Sequence, residues 1–223
     1  MVVILSPLQI KFNTVRFIMG WLFIILLLNA PVISAQQDSP IRFSNVALNM
    51  GLSDQILGVA VHGAAWGDIN GDHYPDLFLG VFSNHSIQPN LILVNNAGKG
   101  FMKTDNPDVE IRSRNSGASF ADFDGDGDDD LVVVHVNDIK GLEHVPEIAK
   151  SNFLYRNDGK GNFTDVTPAS NLGFTGEWTG RNPFVLDYDG DEMLDLLMQD
   201  DAVWGRSLGK SRLMRNIGGL VFE

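Results

Sequence analysis

Short apolar runs recur along the chain after residue 40, and each is bounded by Gly, Asn or Asp. The first complete set lies at 64–66, 77–82, 91–95 and 101–103. Runs of this length that are rich in Val, Leu and Phe are typical of β-strands rather than helices. The pattern therefore predicts a unit of four strands, and we expect almost no helix after residue 36.

The last two strands of each unit are joined by a turn of Asn and Gly, residues that readily adopt a positive φ. Such hairpins are predicted at 90–101, 152–163 and 211–220. Four-stranded units that repeat in this way are the signature of propeller blades. The sequence thus predicts an all-β fold, a β-propeller of four-stranded antiparallel blades, with about three blades over residues 63–223. Because closure takes roughly four or more blades, we expect an incomplete propeller and the N-terminal part of a longer protein.

Between the first two strands of each unit lies a nine-residue loop with Asp or Asn at positions 1, 3, 5 and 9 and Gly at position 4. The loops span 68–76, 122–130 and 187–195, and a Leu-containing apolar run follows each. One such loop could be a solvated acidic turn, but three with the same spacing favour cation binding. Crowded carboxylates repel one another without a cation, and oxygen ligands on a loop bent by Gly suit calcium.

An EF-hand loop is a related alternative, and one position excludes it. The EF-hand places a bidentate Glu at position 12 between two helices. Position 12 is occupied here by Leu79, Val133 and Met198, and the last acid is at position 9. The sequence therefore predicts a strand, a calcium loop and a second strand.

The N-terminal segment, residues 1–35, is predicted to be a secretory signal peptide. Two basic residues precede an apolar core at 17–28, and Ala35 offers a small residue for cleavage. The alternative is a membrane anchor, but the apolar run is shorter than the ~20 residues that a spanning helix needs. We therefore expect a secreted protein with no stable membrane anchor after cleavage. Residues 36–62 are predicted to be a linker followed by a strand at 41–46.

Composition narrows the range of functions. The chain has 16 basic and 28 acidic residues and a formal charge of −12, which argues against nucleic acid as a partner. It contains no cysteine, so a disulfide framework, a thiolate metal site and a catalytic cysteine are excluded. No nucleophile elbow, phosphate loop or zinc signature is present, and we expect that the protein is not an enzyme.

The loop at 122–130, followed by Leu, resembles the FG-GAP repeat, also described as the VCBS repeat, of integrin-α-like β-propellers. Residues 157–167, Asn-Asp-Gly-Lys-Gly-Asn-Phe-Thr-Asp-Val-Thr, are similar to the secreted subfamily that includes cartilage acidic protein and ASPIC/UnbV-type proteins. The resemblance covers residue 41 to the end of the chain. It implies calcium ligation by side chains at positions 1, 3, 5 and 9 and by a main-chain carbonyl at position 7. The implied ligands are Asp68, Asn70, Asp72, Tyr74 and Asp76 in the first loop, Asp122, Asp124, Asp126, Asp128 and Asp130 in the second, and Asp187, Asp189, Asp191, Met193 and Asp195 in the third.

Position 6 of the loop departs from the family pattern. Gly is usual there, and Gly127 conforms, but His73 and Glu192 occupy the same position in the first and third loops. A left-handed conformation costs a non-Gly residue roughly 1–2 kcal/mol. We therefore expect the second loop, which also has four aspartates, to bind calcium most strongly.

The resemblance implies a secreted, calcium-binding interaction module for adhesion, matrix or carbohydrate binding, located outside the cell or, in a bacterium, in the periplasm or at the cell surface. The alternative is the N-terminal part of a calcium-dependent propeller enzyme such as a polysaccharide lyase or hydrolase. Fold alone does not decide between them. Because the repeated acids are all accounted for as ligands at one spacing, we favour the first function. The expected partners are calcium and an extracellular protein or carbohydrate.

Overall fold

The computed structural model describes residues 41–82, 88–136, 151–173, 180–200 and 210–223. The predicted signal peptide, residues 1–35, lies outside these ranges. Contacts divide the chain into two units, residues 1–44 and residues 45–223. In the first unit, residues 41–44 are exposed and lack regular structure. Within the described ranges, no helix is long and apolar enough to cross a membrane.

The second unit is built almost entirely from strands. The described strands are β1 (Val61–Gly67), β2 (Asp76–Val81), β3 (Leu91–Asn95), β4 (Phe101–Lys103), β5 (Asn115–Ala121), β6 (Asp130–His135), β7 (Phe153–Asn157), β8 (Phe163–Asp165), β9 (Gly180–Leu186), β10 (Asp195–Asp200) and β11 (Arg212–Met214). Two helices of one turn accompany them, α1 (Leu52–Gln55) and α2 (Thr167–Ser170). The all-β prediction is confirmed.

The strands form three antiparallel sheets, which we call blades 1, 2 and 3. Blade 1 has the order β1-β2-β3-β4, blade 2 the order β5-β6-β7-β8, and blade 3 the order β9-β10-β11. In blade 3, a bridge between Asn216 and Phe222 stands where Asn157 pairs with Phe163 in blade 2. The sequential up-and-down order is that of propeller blades, so the predicted architecture of about three blades is confirmed.

The first strands of the blades, β1, β5 and β9, lie side by side. Glycine allows this close approach. A Cβ atom on Gly63 would lie 3.1 Å from the backbone nitrogen of Gly117, and one on Gly117 would lie 2.6 Å from the Cα atom of Asn182. The acidic loops that leave these strands are therefore brought together at one end of the blades.

Buried side chains on the faces of the blades fill the two interfaces between them. Between blades 1 and 2, the cluster contains Ile69, Phe78 and Ile92 from one blade and Leu131, Val133 and Tyr155 from the other. Between blades 2 and 3, it contains Phe123, Val132 and Leu154 from one blade and Leu196, Met198 and Met214 from the other. The residues of the loops and second strands match when counted from the start of each loop, and those of the third strands match when counted back from the Asn that follows each strand. The two interfaces therefore repeat one packing scheme.

Blade 3 exposes the corresponding face in the part of the chain that is described. Tyr188, Leu197 and Leu213 are more than a third exposed. They stand at the positions that Phe123, Val132 and Leu154 occupy in the buried interface of blade 2.

The opposite face of blade 1 is covered by the segment before β1. Leu52, Ile56 and Val59 pack against the buried leucines of β2 and β3. The Gln55 side chain also accepts a hydrogen bond of 2.8 Å from the backbone N–H of Lys103. Residues 41–46, for which the alternating pattern predicts a strand, form none. A strand needs a neighbour for its backbone groups, and the edge strand β4 bonds instead to Met50 and Gln55.

Candidate functional site

The second loop wraps its main chain around its own carboxylates. Asp122 accepts N–H bonds from Gly125 at 2.8 Å, Asp126 at 3.1 Å and Gly127 at 3.0 Å. Asp124 accepts the N–H of Asp126, and Asp126 accepts that of Asp128. These turns aim oxygens of Asp122, Asp124 and Asp126 at one point, where they lie within 4.8 Å of one another.

The third loop repeats this arrangement. Asp187 accepts N–H bonds from Gly190 at 2.7 Å and Glu192 at 3.2 Å. Oxygens of Asp187, Asp189 and Asp195 lie within 4.8 Å of one another. Asp191 is not part of this group, and it accepts the N–H of Met193 at 3.0 Å.

The first loop has the same turns but gathers less negative charge. Asp68 accepts N–H bonds from Asp72 at 3.1 Å and His73 at 2.8 Å. Asn70, at position 3, accepts the N–H of Asp72, and Asp72 accepts that of Tyr74. The amide of Asn70 still offers an oxygen, so the loop keeps an all-oxygen donor set with one carboxylate fewer.

The left-handed positions of the loops agree with the sequence. Gly71, Gly125 and Gly190 at position 4 have φ between 72° and 79°. At position 6, φ is 67° at His73, 95° at Gly127 and 69° at Glu192. The two non-Gly residues therefore adopt the conformation that Gly favours.

The aspartates at position 9, which are Asp76, Asp130 and Asp195, are fully buried. One oxygen of each accepts the N–H of position 2 in its own loop, at 3.1 Å, 3.2 Å and 3.1 Å respectively. The other oxygen accepts the N–H of an Asn at the end of the third strand, or two residues after it in blade 3, at 2.7 Å, 3.0 Å and 2.7 Å. Position 9 thus ties the loop to the hairpin of the same blade.

Burial makes the ionised form of these carboxyls costly. It raises the pKa of Asp130 to about 7, and nearby Asp124 and Asp126 act in the same direction. Burial also raises the pKa of Asp76. A cation beside these groups would favour the ionised form.

We call Asn95, Asn157 and Asn216, whose N–H groups bond to position 9, the connector asparagines; the second and third of them also join neighbouring blades. Asn157 Nδ2 donates to the carbonyl of Ile69 in the loop of blade 1 at 2.9 Å and to that of Asp129 at 3.1 Å. Asn216 Nδ2 donates to the carbonyl of Phe123 in the loop of blade 2 at 2.7 Å. Asn95 donates within its own blade, to Pro75, at 3.1 Å.

Sequence reasoning treated the connector asparagines as turn residues and missed this role. The signal that could have revealed it is that an Asn follows the third apolar run of each unit, just before the turn of the hairpin. A second contact joins the first two loops, since Asp129 accepts the N–H of Asp68 at 3.3 Å.

Two arginines make contact with the loops, and sequence reasoning missed them as well. Arg156 Nε lies 3.0 Å from Asp124 Oδ2, and its Nη2 lies 2.9 Å from Asp126 Oδ2. Arg215 makes the equivalent ion pairs in the third loop, at 2.8 Å to Asp189 and 3.1 Å to Asp191. The hydrogen bond from Arg156 lowers the pKa of Asp126.

The donor set fits a hard divalent cation. Each loop offers carboxylate or amide oxygens from positions 1, 3, 5 and 9, with no nitrogen or sulfur donor among them, and its main chain holds them in place. Calcium takes oxygen ligands in flexible geometry, whereas magnesium demands a tighter octahedron. Asp122, Asp124 and Asp126, and likewise Asp187, Asp189 and Asp195, are the residues that would hold such an ion.

The blades and the loops between their first two strands define a propeller-type repeat protein. A family model for the FG-GAP-like repeat matches residues 68–133 and 146–198, together more than half of the chain. The chain belongs to the FG-GAP-like repeat family. The first matched range begins at Asp68, the first residue of the first loop. No curated protein matches the chain.

Proposed function

We propose that this chain is a secreted, calcium-stabilised interaction module that binds an extracellular protein or carbohydrate. FG-GAP-like repeats indicate a propeller-type interaction module. The observation that carries the calcium proposal is the convergence of three carboxylates in each of two loops, with oxygens within 4.8 Å of one another. Such clusters are costly without a cation.

Calcium would supply positive charge at the point where the loop carboxylates converge. The chain's own residues connect that point to the packing of the blades. Position 2 of the second loop, Phe123, donates its N–H to Asp130 and accepts a hydrogen bond from Asn216 of blade 3. Ordering the loop therefore also orders the Phe123 carbonyl, which accepts the hydrogen bond from blade 3.

We propose binding rather than catalysis. In the second loop, the carboxylates at positions 1, 3, 5 and 9 all accept main-chain N–H bonds, within the loop or at the adjoining hairpin, and this engagement suits a structural metal site. An enzyme of this architecture would need acid and base groups apart from the loops.

Thermal melting of the full chain with calcium and with chelator tests this proposal. Binding to the folded state alone stabilises by RT ln(1 + [L]/Kd), about 2.7 kcal/mol at a hundredfold excess. Extracellular modules commonly have a Kd of about 10⁻⁴ to 10⁻³ M, so millimolar calcium is the relevant range. We expect a higher melting temperature with calcium and a smaller shift with magnesium.

Two substitutions sharpen the experiment. Asp126→Ala removes a converging carboxylate, and we expect it to reduce the calcium-dependent shift. Asp105→Asn is the control, because Asp105 is an exposed acid outside the three loops, and we expect it to leave the shift unchanged. Equal melting temperatures with and without calcium would refute the proposal.

A further inference from the structure

The guanidinium groups of Arg156 and Arg215 lie on the acidic loops of blades 2 and 3. Each contacts the Oδ2 atoms at positions 3 and 5 of its loop, at distances between 2.8 and 3.1 Å. In the second loop the Oδ1 atoms at the same positions accept main-chain N–H bonds. The guanidinium therefore takes the carboxylate oxygens that the main chain leaves available.

The presence of this arginine matches the residue at position 3 of the loop. Blades 2 and 3 have an aspartate there, Asp124 and Asp189. Blade 1 has Asn70 there, and Val94 stands at the place of the arginine, directly before the connector asparagine.

The formal charge at positions 1, 3, 5 and 9 is consequently equal in the three loops, although Asp128, Asp129 and Glu192 add negative charge at other positions of the second and third loops. Four carboxylates and one guanidinium leave a formal charge of three negative units at positions 1, 3, 5 and 9 of the second and third loops. The first loop reaches the same value with three carboxylates, since its position 3 is an amide and its blade lacks the arginine. A blade with a carboxylate at position 3 of its loop also has the arginine, and the blade without that carboxylate lacks it.

We propose that Arg156 and Arg215 are tethered counter-ions of the calcium loops, which hold the carboxylates together in the ion-free protein and lower the affinity of their loops for calcium. This inference rests on the proposed calcium binding. An arginine keeps its charge at any physiological pH, so it repels a divalent cation in the loop at all times. It also competes with that cation for the Oδ2 atoms. The second loop therefore gains no advantage in affinity from its fourth aspartate.

Two other roles for these arginines predict a different effect of their removal on calcium affinity. A residue that orients the ligands would raise calcium affinity, so its removal would weaken binding. A purely structural ion pair would contribute equally with and without calcium, so its removal would lower stability and leave affinity unchanged. Loop-by-loop affinity separates the three roles.

The experiment is a calcium titration of the full chain followed by NMR. The amide signals of Gly71, Gly127 and Gly190 report the first, second and third loops separately. The variants are Arg156→Val, which copies Val94, Asp124→Asn, which copies Asn70, and the double variant. Melting in chelator is measured for each.

We expect Arg156→Val to bind calcium about tenfold more tightly at Gly127 and to melt lower in chelator, because a positive charge beside the site is lost. We expect Asp124→Asn to bind about tenfold more weakly there, because a negative ligand is lost. The double variant should bind calcium more tightly than Asp124→Asn and more weakly than Arg156→Val. Gly71 and Gly190 should titrate as in the wild type. In the reverse experiment, Val94→Arg should weaken binding at Gly71.

Unchanged or weaker binding at Gly127 in Arg156→Val would overturn the inference and leave the proposed function in place. Absence of calcium binding by the wild-type chain at all three glycines would overturn the proposed function, and this inference with it. The two failures are therefore distinguishable in one set of titrations.

Discussion

Truncation of the connector Asn157 to Ala tests how neighbouring blades are held together. The Asn157 side chain is almost completely buried and makes three hydrogen bonds. It donates to the carbonyls of Ile69 in blade 1 and of Asp129 in its own loop, and it accepts the N–H of Gly161 at 3.2 Å. Alanine removes all three and leaves the Ile69 carbonyl without this donor.

The magnitude follows from comparison with blade 1. Asn95 makes two equivalent bonds. It donates to the Pro75 carbonyl and accepts the N–H of Gly98 at 2.9 Å, and both partners belong to blade 1. Asn157 makes one further bond, to the carbonyl of Ile69 in the preceding blade. A buried polar group left without its partner costs ~1–3 kcal/mol, so we expect Asn157→Ala to destabilise by about that much more than Asn95→Ala.

The assay is urea denaturation of the wild type and three alanine variants, at positions 95, 157 and 216. Asn216 also makes three bonds, one of them to Phe123 of the preceding blade, so its variant should behave like Asn157→Ala. Because all three substitutions remove the same atoms, the loss of packing is similar in each. An Asn95→Ala cost equal to that of Asn157→Ala would refute the reasoning.

Two further predictions concern single positions. Burial lowers the pKa of His135 to about 3, so the folded protein binds a proton less readily than the unfolded chain, and stability should fall as pH drops from about 6.5 toward 3. Relative to His135→Val, which copies Val81 of blade 1, the wild type should lose about 2 kcal/mol between pH 7 and pH 5 in urea titrations; parallel pH profiles would contradict this. His73→Gly and Glu192→Gly should each raise the melting temperature by the equivalent of roughly 0.5–1 kcal/mol, because φ at these residues is 67° and 69°. Gly127→Ala should lower it, and a loss of stability in His73→Gly would count against left-handed strain.

Local patterns in the sequence predicted most of the fold. The apolar runs predicted β3 and β4 at their observed bounds, Leu91–Asn95 and Phe101–Lys103, and placed β2 within a residue at each end. These signals are local, because a strand's alternation and its turn residues act over a few neighbours. The acidic loops were predictable for the same reason, since the side chains that offer oxygen atoms lie within nine residues of one another.

The contacts between elements were not predictable in this way. The hydrogen bond from Asn157 to Ile69 joins residues 88 positions apart, and the ion pair of Arg156 with Asp124 spans 32 positions. Both depend on strand register and on how one blade packs on the next. The segment at 41–46 shows the converse limit, because its alternation favours a strand, but pairing requires a neighbour that no local pattern specifies.

The connector asparagines also bear on how such a chain evolves. Asn157 and Asn216 each recognise a main-chain carbonyl at position 2 of the preceding loop, and residues as different as Ile69 and Phe123 present that same group. A repeat that is duplicated, exchanged or lost therefore keeps a working junction if its asparagine and its position-9 aspartate are retained. The rest of each blade is left free to diverge toward different surfaces.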